Sequence, residues 1–172
     1  MGLSCHVAEW FPDGKRACGV ANEGEGGLRL YEIDLETGAF RAFSEEGVSP
    51  TDVMVTRDGK FDAARGPDGK FSLYPVEGGA SRAIEGVEPQ DRPVEWSEDG
   101  KALFVFTRGV LPAPVIRIDL QTGERQVVRE ITPSDSTGVG GITAARMTRD
   151  GSAIAYSYPQ GLGDLYVIEG LR

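Results

Sequence analysis

Asp-Gly pairs recurring about every 40–50 residues are the first residues in this sequence whose type and spacing suggest chemistry: Asp13-Gly14, Asp58-Gly59, Asp99-Gly100 and Asp150-Gly151. A calcium loop needs an Asp-x-Asp-x-Asp-Gly run, and each pair here brings one acid. The pairs read instead as turns, where Asp bonds its own backbone and Gly supplies a positive φ. His6 is the only histidine, which removes any histidine metal cluster and most Ser-His triads. No Gly-x-Ser-x-Gly elbow, phosphate-binding Gly-x-x-x-x-Gly-Lys loop, or kinase His-Arg-Asp or Asp-Phe-Gly motif occurs. Gly24–Gly27 and Gly138–Gly141 precede strand-like runs, not helices, and read as loops. The expectation is no catalytic residue, no metal and no cofactor.

Cys5 and Cys18 are the only cysteines. They fall on adjacent strands of a hairpin that turns near Asp13-Gly14. Such a turn pairs positions whose numbers add to about 26, whereas 5 and 18 add to 23. The two thiols are therefore out of register for a bridge, and two free cysteines, at least one of them buried, are expected.

The elements that position these residues follow from an internal repeat. The glycines of the Asp-Gly pairs at 14, 59, 100 and 151 lie 45, 41 and 51 residues apart. Four residues before each stands a large apolar residue: Trp10, Val55, Trp96 and Met147. A strand-like run follows each pair, and then a second run with matched columns. Leu30, Leu73, Val115 and Leu165 align, as do Tyr31, Tyr74, Ile116 and Tyr166, and then Ile33, Val76, Ile118 and Ile168. The runs alternate with period two and are punctuated by Gly, Asp, Asn and Pro; no helical stripe appears. In the first unit the strands are expected at about Cys5–Trp10, Arg16–Ala21, Leu28–Asp34 and Ala39–Ser44.

A repeat of this length with four strands per unit predicts an all-β fold, a β-propeller of four blades with four antiparallel strands each. The blades span about 1–47, 48–88, 89–134 and 135–172 of one partial domain. The last blade has room for only three strands, about Ile142–Met147, Ala153–Tyr158 and Leu165–Glu169, and lacks its outer one. This predicts part of a larger ring. An open edge also predicts strand exchange between chains or a ring completed by two copies. Trp10 and Trp96, at equivalent positions, are expected to pack in the core.

Trp10-Phe11-Pro12-Asp13-Gly14-Lys15 and Trp96-Ser97-Glu98-Asp99-Gly100-Lys101 resemble the Trp-Ser-Pro-Asp-Gly-Lys signature of WD40-like (PD40) repeats, the TolB-type propeller blades. Val55-Thr56-Arg57 and Met147-Thr148-Arg149 depart from that pattern. Asp91–Ser97, Leu111-Pro112-Ala113 and Asp164–Leu171 resemble the C-terminal propellers of membrane-anchored bacterial serine/threonine kinases of the acidobacterial type. That resemblance implies an extracytoplasmic sensing module with the kinase in a separate domain. The other readings are an accessory propeller of a prolyl-oligopeptidase-like peptidase and a TolB-like assembly scaffold.

Charge narrows the partners. The formal net charge is −9, which disfavours nucleic acid and anionic membrane surfaces. Residues 1–47 hold nine acids and four bases, an acidic end suited to docking. No apolar run is long enough to span a bilayer. In a four-stranded blade the one–two and three–four turns share one face, and the longer, more varied loops share the other. Binding is usually placed on such varied loops. Asp52, Asp91, Arg92, Arg108 and Asp135 are the expected rim residues, toward a protein, peptide or glycan ligand.

Overall fold

A computed structural model describes residues 2–163. Among them are fourteen strands and no helix. Blade 1 contains β1 (Leu3–Trp10), β2 (Arg16–Glu23), β3 (Arg29–Asp34) and β4 (Phe40–Ala42). Blade 2 contains β5 (Val53–Val55), β6 (Phe61–Arg65), β7 (Phe71–Pro75) and β8 (Arg82–Ala83). Blade 3 contains β9 (Asp91–Trp96), β10 (Ala102–Thr107), β11 (Ala113–Asp119) and β12 (Arg125–Ile131). Blade 4 contributes β13 (Ala144–Met147) and β14 (Ile154–Ser157). The expected strand at Leu165–Glu169 lies outside the described residues. Each of the three full sheets is an antiparallel meander in chain order.

The Asp-Gly turns share one geometry because four residues encode it. Each Asp Oδ1 accepts the backbone N–H two residues on: Lys15 at 2.9 Å, Lys60 at 3.1 Å, Lys101 at 3.0 Å and Ser152 at 3.1 Å. The glycines sit at φ of 66–70°, a region closed to most side chains. The Thr-Gly turns follow a second rule: Asp34 and Asp119 each accept from the backbone N–H of Thr37 (2.8 Å) and Thr122 (3.0 Å).

The core lies between blades. One cluster joins Phe11, Val20 and Leu30 of blade 1 to Val53, Val55 and Tyr74 of blade 2. A second joins Met54, Phe71 and Leu73 to Trp96, Leu103 and Ile118. A third joins Val94, Phe106 and Val115 to Ile142 and Ala145. Each large side chain contributes roughly 1.5–3 kcal/mol on burial, so the blades stabilise one another.

Two expectations about β1 and β2 meet different outcomes. Cys5 pairs with Ala21 and Cys18 with Glu9 across the hairpin, so the thiols are free, Cys5 exposed and Cys18 buried. The Trp expectation is corrected. Trp96 is 3% exposed, but Trp10 is 65% exposed, and the neighbouring Phe11 occupies the blade 1–2 core instead.

Candidate binding site

The expected rim residues divide into three kinds of environment. Asp91, at the start of β9, is buried. Its carboxylate accepts from Glu88 N at 2.9 Å, Thr107 Oγ1 at 3.1 Å and Arg125 Nη1 at 2.6 Å. Arg125 also donates to Gly86 O, so this group ties the connection between blades 2 and 3 to the outer strand β12. Asp52 and Arg92, from successive blades, meet at 3.3 Å with both side chains mostly buried. Arg65 stands beside them and donates to Gly69 O at 2.8 Å and Asp91 O at 3.2 Å. Burial and then the charge of Arg92 lower the Arg65 pKa, while Asp52 and Asp91 oppose that shift. The structure thus gathers Asp52, Asp91 and Arg92 into a clamp between blades.

Arg108 and Asp135 are exposed. The Arg108 backbone donates to Gln90 O at 3.0 Å, which holds it at the edge of the clamp. Asp135 caps its own loop through Thr137 N at 2.9 Å, and that hydrogen bond lowers its pKa.

A further depression lies elsewhere, in a groove of about 960 Å³ between blades 1 and 2. The outer strands of these two blades are short: β4 has three residues and β8 two. Loops 44–46 and 67–68 and the turn at 78–81 border it. Three carboxylates and one guanidinium line it: Glu45, Glu46, Asp68 and Arg29. Arg29 already pairs with Glu46 at 2.9 Å, so the remaining field is negative. Tyr74 and Ser81 add hydroxyls. Burial raises the Tyr74 pKa, and the charges of Asp68 and Glu45 raise it further, so the phenol stays a neutral donor and acceptor.

Two glycines pack closely against side chains that line this groove. A Cβ on Gly66 would lie 2.5 Å from the Tyr74 hydroxyl, so only glycine leaves that hydroxyl its place. A Cβ on Gly47 would lie 2.8 Å from Pro67 Cβ, and its φ of 97° disfavours a side chain independently. The loops of blades 1 and 2 therefore approach closely beside the groove.

The acidic end of the sequence points to Glu45 and Glu46 as docking residues. Asp68, Tyr74 and Ser81 carry no such signal, because the two-residue length of β8 leaves no pattern to read.

On the face of the Asp-Gly turns, all four blades converge on a second cleft, of about 480 Å³. Glu9, Arg57, Glu95, Arg146 and Arg149 line it. Burial raises the Glu9 pKa, Arg146 opposes that, and Glu95 adds to it. Arg57 and Arg149 stand in the two units that depart from the Trp-Ser-Pro pattern. Those departures are the sequence signal for this mouth.

No family model matches the chain, and no curated protein does. Solved structures share its fold. TolB from Acinetobacter baumannii superposes with a TM-score of 0.67 at 16% identity, over 95% of this chain and 39% of that one. Oligogalacturonate lyase from Vibrio parahaemolyticus gives 0.57 at 16% identity, over 81% and 43%. A prolyl endopeptidase, one of two studied for inter-domain dynamics in catalysis and specificity, gives 0.57 at 20% identity, over 92% and 26%. The chain spans less than half the length of each. At these identities the likeness concerns architecture: this chain has the β-propeller fold of TolB-like proteins.

Proposed function

We propose that this chain is a non-catalytic binding module that receives a basic protein or peptide segment in the groove between blades 1 and 2. One observation carries the reading. A groove of about 960 Å³ is bordered by varied loops and lined by Glu45, Glu46 and Asp68 against a single arginine that is already paired. A cationic segment gains from that field, and the flanking hydroxyls suit its backbone amides. Exposed ion pairs are individually weak, at about 0–1 kcal/mol, so binding rests on several at once and falls with salt.

The test is a peptide array carrying Lys/Arg-rich, neutral and acidic sequences, read at low and high salt. Binding of basic peptides that is reduced by Glu45→Lys with Glu46→Lys, and weakened further by adding Glu23→Lys with Glu25→Lys, supports the reading. Unchanged capture by the reversed protein refutes it. Hydrolysis of peptide or phosphoester model substrates by the chain alone would refute the non-catalytic part.

The parent we propose is a receptor-like serine/threonine kinase with this propeller outside the cytoplasmic membrane, as the resemblance of Asp91–Ser97 and Asp164–Leu171 implies. Sequencing upstream of the Met1 codon tests it: a kinase domain and one apolar span support it, and a stop codon directly upstream refutes it. The likeness to a prolyl endopeptidase favours a second reading, the accessory propeller of a peptidase. A hydrolase domain encoded downstream would select that reading.

A further inference from the structure

Each Asp-Gly turn brings the same positions to one mouth. Five residues before the glycine stand Glu9, Met54, Glu95 and Arg146, and two residues before it stand Pro12, Arg57, Glu98 and Arg149. All of these except Glu98 line the cleft of about 480 Å³ on the turn face. The turns are alike in backbone, and the columns beside them differ in charge. Blades 1 and 3 contribute an acid followed by a tryptophan, and blades 2 and 4 contribute the arginines.

Half of this set is taken up by the joint between blades 2 and 3. Trp96 is buried, and its Nε1 donates to Val55 O at 3.0 Å. Arg57 Nη2 donates to Trp96 O at 3.1 Å and lies 3.7 Å from Glu95 Oε1. Glu95 Oε1 also accepts from Trp96 N at 2.9 Å. The charges of Arg57 and Glu95 offset one another within that joint.

The other half is uncommitted. Arg146 and Arg149 of blade 4 are exposed, and neither forms an ion pair among the described residues. Arg146 Nη1 donates to the neighbouring Ala145 O at 3.1 Å, and a guanidinium has five N–H donors in all. Glu9 sets one negative charge against these two positive ones, close enough for Arg146 to oppose the rise that burial gives its pKa. The aspartates of the turns do not line the cleft, and their Oδ1 atoms accept from their own backbones. The mouth is therefore locally positive on a chain whose net charge is −9. Trp10, 65% exposed, gives it an uncovered apolar surface. Guanidiniums with free donors recognise the planar fork of a carboxylate or the oxygens of a phosphate, and an exposed indole recognises a flat apolar body. The volume falls within the usual range of small-molecule sites.

We propose that the turn-face cleft binds a small aromatic acid, with its ring against Trp10 and its carboxylate or phosphate on Arg146 and Arg149. The cleft and the groove between blades 1 and 2 share no residue, so this site and the peptide groove stand or fall separately.

Calorimetric titration of the chain with naphthoate and naphthyl phosphate tests the proposal, with neutral naphthamide, the naphthylmethylammonium cation and acetate as comparisons. At least one of the two aromatic acids is expected to bind, and the tighter of them identifies the acidic group. Naphthamide and acetate each lack one recognised part and are expected to bind at least about ten-fold more weakly, and the cation more weakly still. Arg146→Ala and Arg149→Ala are each expected to weaken the aromatic acid about ten-fold, as for a lost hydrogen bond to a charged group. Trp10→Ala weakens the aromatic acids and leaves acetate unchanged. Glu9→Gln tightens them, because it removes a repelling carboxylate. Trp10, Arg146 and Arg149 are exposed, so their variants keep the fold, which thermal unfolding verifies. The chain has two indole N–H signals; that of Trp10, identified by its loss in Trp10→Ala, is displaced on titration. No binding by either acid overturns the proposal. So does equal binding of acid, amide and cation, or binding that survives Arg146→Ala combined with Arg149→Ala.

Discussion

Replacing Asp62 with Asn turns the pH dependence of stability into a readout of one buried carboxyl. Asp62 lies on β6, fully buried where blades 1 and 2 meet. Its Oδ1 accepts from Met54 N at 3.0 Å, and the Cys18 thiol donates to its Oδ2. Burial raises its pKa to about 7, against opposing hydrogen bonds from Cys18 and Met54 and with a small further rise from Glu9. In the unfolded chain the same group ionises near 3.8.

The folded state therefore holds a proton on Asp62 that the unfolded state releases between those values. Asp62's contribution to stability is fully present below pH 3.8 and is lost as pH rises through about 7. The shift, from 3.8 to about 7, corresponds to about 4 kcal/mol at 1.36 kcal/mol per unit. Asn does not titrate, and its Oδ1 keeps the Met54 bond. Urea unfolding of wild type and Asp62→Asn at several pH values between 4 and 8 isolates the effect, because the other carboxylates cancel in the difference. Relative to wild type, Asp62→Asn gains stability progressively as pH rises, by about 4 kcal/mol across that range. A difference that stays flat between pH 4 and 8 refutes the reasoning, since Asp62 would then be ionised in the folded protein.

Three further outcomes check other parts of the structure. A charged thiol reagent is expected to modify one cysteine, Cys5, in the folded protein and two in denaturant. Burial, with the charge of Asp62 behind it, holds the Cys18 thiol well above the ordinary range, and labelling followed by peptide mapping verifies this. Asp91→Ala leaves Arg125 without its closest partner and removes an acceptor from Glu88 N and Thr107, so urea unfolding should show a loss of about 3–5 kcal/mol. Trp96→Ala is expected to cost about 3–5 kcal/mol by the same measurement, whereas Trp10→Ala, at a side chain 65% exposed, stays near neutral.

Much of the blade architecture is legible from local chemistry. The turn at Pro12-Asp13-Gly14-Lys15 is complete within four residues: an acceptor, a residue free to take positive φ, and the N–H two places on. The same holds at Asp58, Asp99 and Asp150, so strand order and the antiparallel meander follow from spacing. Alternation then places Leu30, Leu73 and Val115 inside. The thiol register was open to the same counting, because a hairpin turn fixes which residues face each other.

Charge roles were not open to it. Asp52, Asp91, Arg92, Arg108 and Asp135 look alike in sequence, as charges beside loops. The structure separates a buried clamp at Asp91 and Arg125, an inter-blade pair at Asp52 and Arg92, and two exposed residues. Whether a carboxylate meets a guanidinium depends on partners about 30–40 residues away, as with Asp91 and Arg125. No local pattern records such a meeting. The groove between blades 1 and 2 was hidden for a related reason: its lining comes from two blades, residues 29–46 and 67–81.

By itself, the sequence determined the repeat, the turns and the sides of the strands, because each depends on residues a few positions apart. Only the tertiary structure decided which of two equivalent tryptophans is covered, which acids are paired and where a groove opens. Those outcomes depend on which blade lies against which, and Trp10 and Trp96 differ because only one of them has a blade beside it.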